Sequence, residues 1–440
     1  MSMFTKFIML SLSLLTFFVA GYSDITSEYS VDLITLLFLA NFSSFLFVNI
    51  LKGTICFSSF AFLFICLNFL YVFIGPVLTF YFGLSFFSNN RSYESDVYVY
   101  NASLISFTLI IILFTFFLKE SRGEKFNSYF NRHNTVSGRK VTILYFISCL
   151  IAFITISTFM LSGLYHLSFS GQDRIAIKDY VDVDFWYSIG SVVSVFSCFV
   201  FTNYSNCKTN KFHVYAVLLI TSIYYLIDLS VGGRKFLLYF IIVALFTLSQ
   251  TGKLSLKKTI YIAMPVILAM FSRGVMDKVT WGERDVVGII SGYVGEFIFP
   301  NLTGSITIFS DLNSCNFFES PINPYFSWIT YYIPRVIFED KPYSVAYNLS
   351  SYMNAGMGFA LTPLTESFCA LESLGPYIYP IILTFICYIV YRLSKNYTYL
   401  YIILVSMVMD INRGEISYFI NNIIFMFFVW YFLEKINKVK

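Results

Sequence analysis

Four arginines stand in settings suited to chemistry on an anion. Arg234 lies in the turn LSVGGRKF, Arg273 in MFSRGVMDK, Arg335 after a proline in YYIPRVIFEDKP, and Arg413 in DINRGEIS. A guanidinium is planar and permanently charged, and its fork binds phosphate oxygens two at a time. Beside Arg234, the paired Gly232 and Gly233 let the backbone approach a ligand closely. The plain alternative for any one arginine is a snorkelling interfacial anchor or an ion pair with a nearby acid, such as Asp228 for Arg234 or Glu415 for Arg413. Four in like settings favour a shared anion. Among the acids, Glu366 stands out in GMGFALTPLTESFCALESLGP. A carboxylate desolvated near a membrane face can act as general base on a sugar hydroxyl; its plain alternative is a helix-start acid at capping spacing from Thr362. Glu296 and Glu415 are weaker candidates for the same task.

Other chemistries find little support. The chain has no G-x-x-x-x-G-K-[ST] and no H-E-x-x-H, and His133, His166 and His213 are scattered. Asp182-Val-Asp184 matches a two-acid metal signature, but a lone D-x-D is common in acidic loops. We expect no metal and no cofactor. Of eight cysteines, Cys56, Cys66, Cys149, Cys198, Cys207 and Cys387 sit in or beside apolar segments and read as small packing residues. Cys315 and Cys369 share one stretch, where a disulfide can form if that stretch faces an oxidising compartment.

These residues must be positioned by helices in lipid. The chain is 57% hydrophobic and 20% aromatic with only 12% charged residues, a balance foreign to water-soluble domains. Its net charge of +4 is too small and too dispersed to suggest nucleic acid. Lipid offers the backbone no hydrogen bonds, so crossings are helices of roughly 17 to 25 apolar residues. Twelve such runs occur, at 4–21, 31–50, 55–83, 99–118, 141–161, 185–204, 213–230, 235–251, 259–275, 376–392, 398–411 and 417–433. The expected fold is therefore all-α, a polytopic integral membrane protein with about twelve transmembrane helices. The first run, after Lys6, has the look of a signal peptide, but the spans that follow make it a first crossing. Gly75 and Pro76 predict a kink or a partly re-entrant end in the third run rather than two crossings. With no linker or repeat, residues 1–440 read as one integral unit.

Lysine and arginine mark the cytoplasmic side. Placing both termini there puts eighteen of the 29 cations inside with only Glu120, Glu124 and Glu434 for company, about +15 inside against −11 outside. The inner cations are mostly lysine. The outer minority is mostly arginine: Arg91, Arg174, Arg234, Arg273, Arg284, Arg335 and Arg413 against four lysines. Two outer segments exceed simple turns, 163–184 and the roughly hundred residues 273–374 between spans nine and ten. The apolar stretches VVGIISGYVGEFIF and FSWITYYIPRVIF within the latter suggest interfacial helices. Either one as a thirteenth span would place the Lys-rich tail outside.

With these features together, the chain resembles the Wzy-type O-antigen polymerases. The resemblance covers the whole topology, and its local core is YYIPRVIFEDKPYSVAYN through GMGFALTPLTESFCALESLGP, with the Gly232-Gly233-Arg234 and Arg413-Gly414-Glu415 turns beside it. The family's two outer loops each carry an arginine followed at a set distance by glycine; here Arg174 precedes Gly190 with fifteen residues between, and Arg284 precedes Gly295 with ten. The resemblance implies a membrane glycosyltransferase (GT-C-like) architecture in the bacterial inner membrane, acting at the periplasmic face. Donor and acceptor are oligosaccharides linked to undecaprenyl pyrophosphate. Arg174, Arg234, Arg273, Arg284, Arg335 and Arg413 would bind substrate and stabilise the leaving pyrophosphate, and Glu366 would activate the acceptor hydroxyl. Membrane lipids and a chain-length regulator protein are the implied partners, with no nucleotide sugar, metal or nucleic acid. Two rival readings remain. A flippase for the same lipid-linked repeat should have short loops, and an O-antigen ligase is usually associated with a histidine in its large outer loop, which residues 273–374 lack.

Overall fold

The computed structural model describes residues 3–51, 59–83, 93–118, 138–167, 183–204, 211–231, 233–251, 322–331, 342–352 and 361–438, with 180, 261, 315, 333 and 337–338 between them. Among these there is no strand. The helices are α1 (Met3–Thr26), α2 (Val31–Leu51), α3 (Phe60–Phe69), α4 (Gly75–Phe82), α5 (Tyr93–Phe117), α6 (Gly138–Leu161), α7 (Val183–Tyr204), α8 (Lys211–Ser230) and α9 (Lys235–Gln250). Then come α10 (Val345–Tyr352), α11 (Pro363–Leu371), α12 (Gly375–Leu393), α13 (Thr398–Ser406), α14 (Val408–Arg413) and α15 (Ile416–Lys438).

Nine described stretches are long and apolar enough to cross a membrane, so the chain is a multi-pass helical membrane protein. They match nine of the twelve expected runs. Of the other three, α9 has 16 residues, about 24 Å at 1.5 Å per residue, and falls short of a ~30 Å hydrocarbon core. The run 259–275 lies outside the described residues apart from Tyr261. The run 398–411 is broken at Met407 into α13 and α14. Ser406 Oγ donates back to the Ile403 carbonyl at 2.7 Å at the end of α13. The kink expected in the third run takes the form of a π turn over Leu70–Ile74, directly before Pro76. A proline removes one amide and crowds the carbonyl four residues back, and the wider turn accommodates both. The tenth run is also longer than expected: α11 and α12 form one apolar stretch, Pro363–Leu393, interrupted at Glu372, whose φ is 51°.

By its internal packing the chain falls into two compact units. The first holds Met1–Glu120, Trp281–Arg392 and Val408–Asn421. Its centre is α5, most of which is buried, packed against α1, α2 and α3. Rings fill the space: Phe38 stacks on Tyr100 at 5.1 Å and Phe42 on Phe69 at 3.8 Å. Polar side chains tie the helices together, as expected where lipid cannot satisfy them. Asn101 donates to the Ala20 carbonyl at 3.0 Å, Ser106 to the Pro376 carbonyl at 2.8 Å, and Tyr377 to Asp24 at 2.8 Å.

The second unit holds Ser121–Thr280, Leu393–Met407 and Asn422–Lys440. Here α6 packs on α8, and α7 packs on α8 and α9. Trp430 is sandwiched by Tyr399, stacked at 6.0 Å, and Phe199, edge-on at 5.8 Å. Large apolar side chains such as Phe146 and Leu219 point outward, as a lipid-facing surface requires.

Candidate functional site

In the first unit, the turn Arg413-Gly414-Glu415 joins α14 to α15. It is fixed from several directions. Asn68 on α3 donates to Asn412 Oδ1 at 2.8 Å, and Asn412 Nδ2 donates to the Val408 carbonyl at 2.8 Å, so the helix that ends in Arg413 is pinned to a membrane helix. A Cβ on Gly414 would come within 2.9 Å of the Asp410 carbonyl, so only glycine closes the turn without displacing backbone.

Two buried carboxylates complete the arrangement. Glu366, on α11, is fully buried, and its oxygens accept hydrogen bonds from the Ile416 amide, from the Ser417 amide at 3.3 Å and from Ser417 Oγ at 2.8 Å. The first amides of a helix have no partner inside it and carry the positive end of its dipole. Glu366 therefore caps α15 from a segment fifty residues away. Glu415 repeats the device in the other direction, accepting from the Val345 amide at 3.2 Å and the Ala346 amide at 2.9 Å at the start of α10. Burial pushes the Glu415 carboxyl above the usual carboxylate range, against the opposing pull of the Ala346 and Val345 amides.

Helix α11, which carries Glu366, is itself clamped. Tyr325 bonds Ser367 at 2.5 Å, Asn323 donates to the Ala370 carbonyl at 2.8 Å, and a Cβ on Gly375 would lie 2.8 Å from the Ser367 backbone. Cys369 on the same helix is joined to Cys315 in a disulfide spanning 54 positions. That bond sits beside a small apolar cluster of Cys315, Val345, Leu349 and Leu361, which seats α10. The pair left open on sequence grounds is thus formed.

In the second unit, Arg234 occupies the short link between α8 and α9, half-buried. Asp228, near the end of α8, is 1% exposed and accepts the Trp186 indole N–H at 3.1 Å. Gly233 donates its amide to the Asp228 carbonyl at 2.5 Å, and a Cβ there would run into the Asp228 carboxylate. The glycine next to Arg234 is thus required by the packing of a buried acid, the residue singled out as a neighbour for this arginine. Gly190 is also a packing glycine: a Cβ would strike the Phe236 ring and the Tyr224 hydroxyl.

Of the residues expected in a site, Arg234, Arg413 and Glu366 are described, whereas Arg174, Arg273, Arg284 and Arg335 lie outside the described residues, as do Gly295, Glu296 and the side chains of Asp182 and Asp184. The structure joins Glu366 to the Arg413 turn. Sequence reasoning missed Asn68, Ser417 and the α10 amides as members of that assembly. No short motif marks them, because each partner is distant in the chain. No family model, no curated protein and no solved structure matches this chain.

Proposed function

We propose that this chain polymerises oligosaccharide repeats carried on undecaprenyl pyrophosphate at the outer face of the bacterial inner membrane. The observation that carries this reading is the Arg413 turn. An arginine stands between α14 and α15, on a turn that two buried carboxylates hold in place through their bonds to α10 and α15. Pre-set cationic groups of this kind stabilise charge developing on a pyrophosphate leaving group. The outer bias toward arginine over lysine supports the same assignment.

The reaction balances without a further reagent. The acceptor hydroxyl loses its proton to a base, its oxygen forms a bond to the donor's anomeric carbon, and the bond from that carbon to pyrophosphate breaks. Glu366 acts as that base only if an oxygen leaves the start of α15. Its bonds to Ile416 and Ser417 favour a positioning role for the Arg413 turn instead.

Deleting the gene and resolving the cell's surface glycan by electrophoresis tests the reading. Loss of a polymerase leaves lipid A core bearing one repeat, whereas loss of a flippase leaves none. Complementation with Arg413→Ala should restore the protein to the membrane but not the long chains. Full-length chains in that variant would refute the phosphate role.

A further inference from the structure

At the start of the helix that Glu415 caps stands an aromatic pair that the reaction above leaves unused, Tyr343 just before the helix and Tyr347 on it. Tyr343 and Tyr347 stack face to face, with ring centroids 4.4 Å apart and planes 20° from parallel. They are 45% and 54% exposed. Their mount is rigid. Ser344 Oγ accepts the Tyr347 amide at 3.1 Å, and the Ser344 carbonyl accepts the Asn348 amide at 3.0 Å. Between the two tyrosines, the Val345 and Ala346 amides donate to Glu415 at 3.2 and 2.9 Å. Val345 is buried with Cys315, Leu349 and Leu361 beside the disulfide. The ring pair is therefore fastened, through one carboxylate, to the turn that presents Arg413 two positions earlier.

The outer face of a fixed, half-exposed ring stack suits a particular ligand. A pyranose ring has a face of C–H groups that packs on the aromatic face, while its hydroxyls stay at the rim and in water. The first sugar of a lipid-linked repeat is bonded directly to the pyrophosphate, so its subsite must adjoin the phosphate site. The start of α10 is hydrogen-bonded to that site's turn and carries the two stacked, half-exposed rings.

We propose that Tyr343 and Tyr347 form the subsite for the sugar rings next to the pyrophosphate bound at Arg413. The assignment rests on the reading of Arg413 given above. It differs from an interfacial belt of tyrosines, which would hold headgroups regardless of any sugar.

The test uses the full-length protein in nanodiscs and two probes: undecaprenyl pyrophosphate carrying the cell's own repeat, and the bare carrier. Tyr343→Ala/Tyr347→Ala should weaken binding of the glycosylated carrier about five- to tenfold, the worth of one good ring contact, and leave the bare carrier unchanged. Tyr343→Phe/Tyr347→Phe, which keeps the ring faces, should bind both as the parent does. An equal loss on both probes would assign the pair to lipid or folding and overturn the subsite. So would unchanged binding of the glycosylated carrier, or a loss in the Phe pair as large as in the Ala pair. Arg413→Ala is measured alongside. If it leaves bare-carrier binding intact, the phosphate site itself is refuted; if it abolishes that binding while the Ala pair changes nothing, only the sugar subsite is.

Discussion

Single residues in this protein do their work by giving others a fixed place. Gly233 has no room for a methyl group because the Asp228 carboxylate occupies it, and Asp228 in turn holds the Trp186 indole. Gly233→Ala should therefore displace a buried acid and cost about 1–3 kcal/mol, as overpacking does. A lower midpoint of thermal unfolding in detergent, with less protein in the membrane, would show it. Glu415 makes a different prediction. Its folded-state carboxyl is raised above the ordinary 4.5 by burial, so the folded protein holds that proton more tightly than the unfolded chain does. The associated stability is fully present below pH 4.5 and is lost as pH rises through the folded value. The unfolding midpoint should fall with rising pH over that window, and Glu415→Gln should flatten the fall. An identical slope in the variant would show that other groups set it.

At the scale of elements, the sequence displays what is local and hides what is distant. The apolar runs forecast α1 to α8 within a few residues, because a helix in lipid is written in its own composition. Pro76 forecast the distortion of the third run. The break at Met407 was not legible: residues 398–411 form one apolar run, while the Ser406 hydroxyl turns back on the end of α13 and Asn412 pairs with Asn68, a residue 344 positions away. Glu366 likewise read as a start-of-helix acid or a base, whereas the helix it caps is α15, fifty residues on. The disulfide was half legible, since two cysteines in one outer stretch can pair but need not. It closes a loop of 54 positions, for which chain entropy predicts about 4 kcal/mol of stabilisation. Reduction should loosen α10 and α11 together, because Val345 and Cys369 belong to the same small cluster. In intact protein a maleimide should label neither Cys315 nor Cys369 before reduction and both after it. Labelling of either one without reductant would show that the bond does not form.

Taken as a whole molecule, the chain carries two independent statements about side. The positive-inside rule predicts residues 273–374 outside, and a disulfide between Cys315 and Cys369 predicts an oxidising compartment for the same segment. What remains is parity. From Cys369 to the Lys-rich tail the chain passes through α12, the broken pair α13 and α14, and α15. Helix α13 has nine residues and α14 has six, together about 22 Å of helix, a little short of a full crossing. If this pair crosses, Arg413 lies outside and the tail inside. If it turns back, Arg413 returns to the side of Lys395, and no outer phosphate site can use it. The cations flanking the pair predict a crossing, since Arg392 and Lys395 before it fit the inner group and the solitary Arg413-Gly414-Glu415 after it fits the outer one. An alkaline phosphatase fused after Arg413 should therefore be active, as the enzyme needs the oxidising side, and a fluorescent protein fused after Lys440 should fluoresce in the cytoplasm. An inactive phosphatase at Arg413 would withdraw that arginine from the outer face, and with it the anion site that the two buried glutamates were read as building.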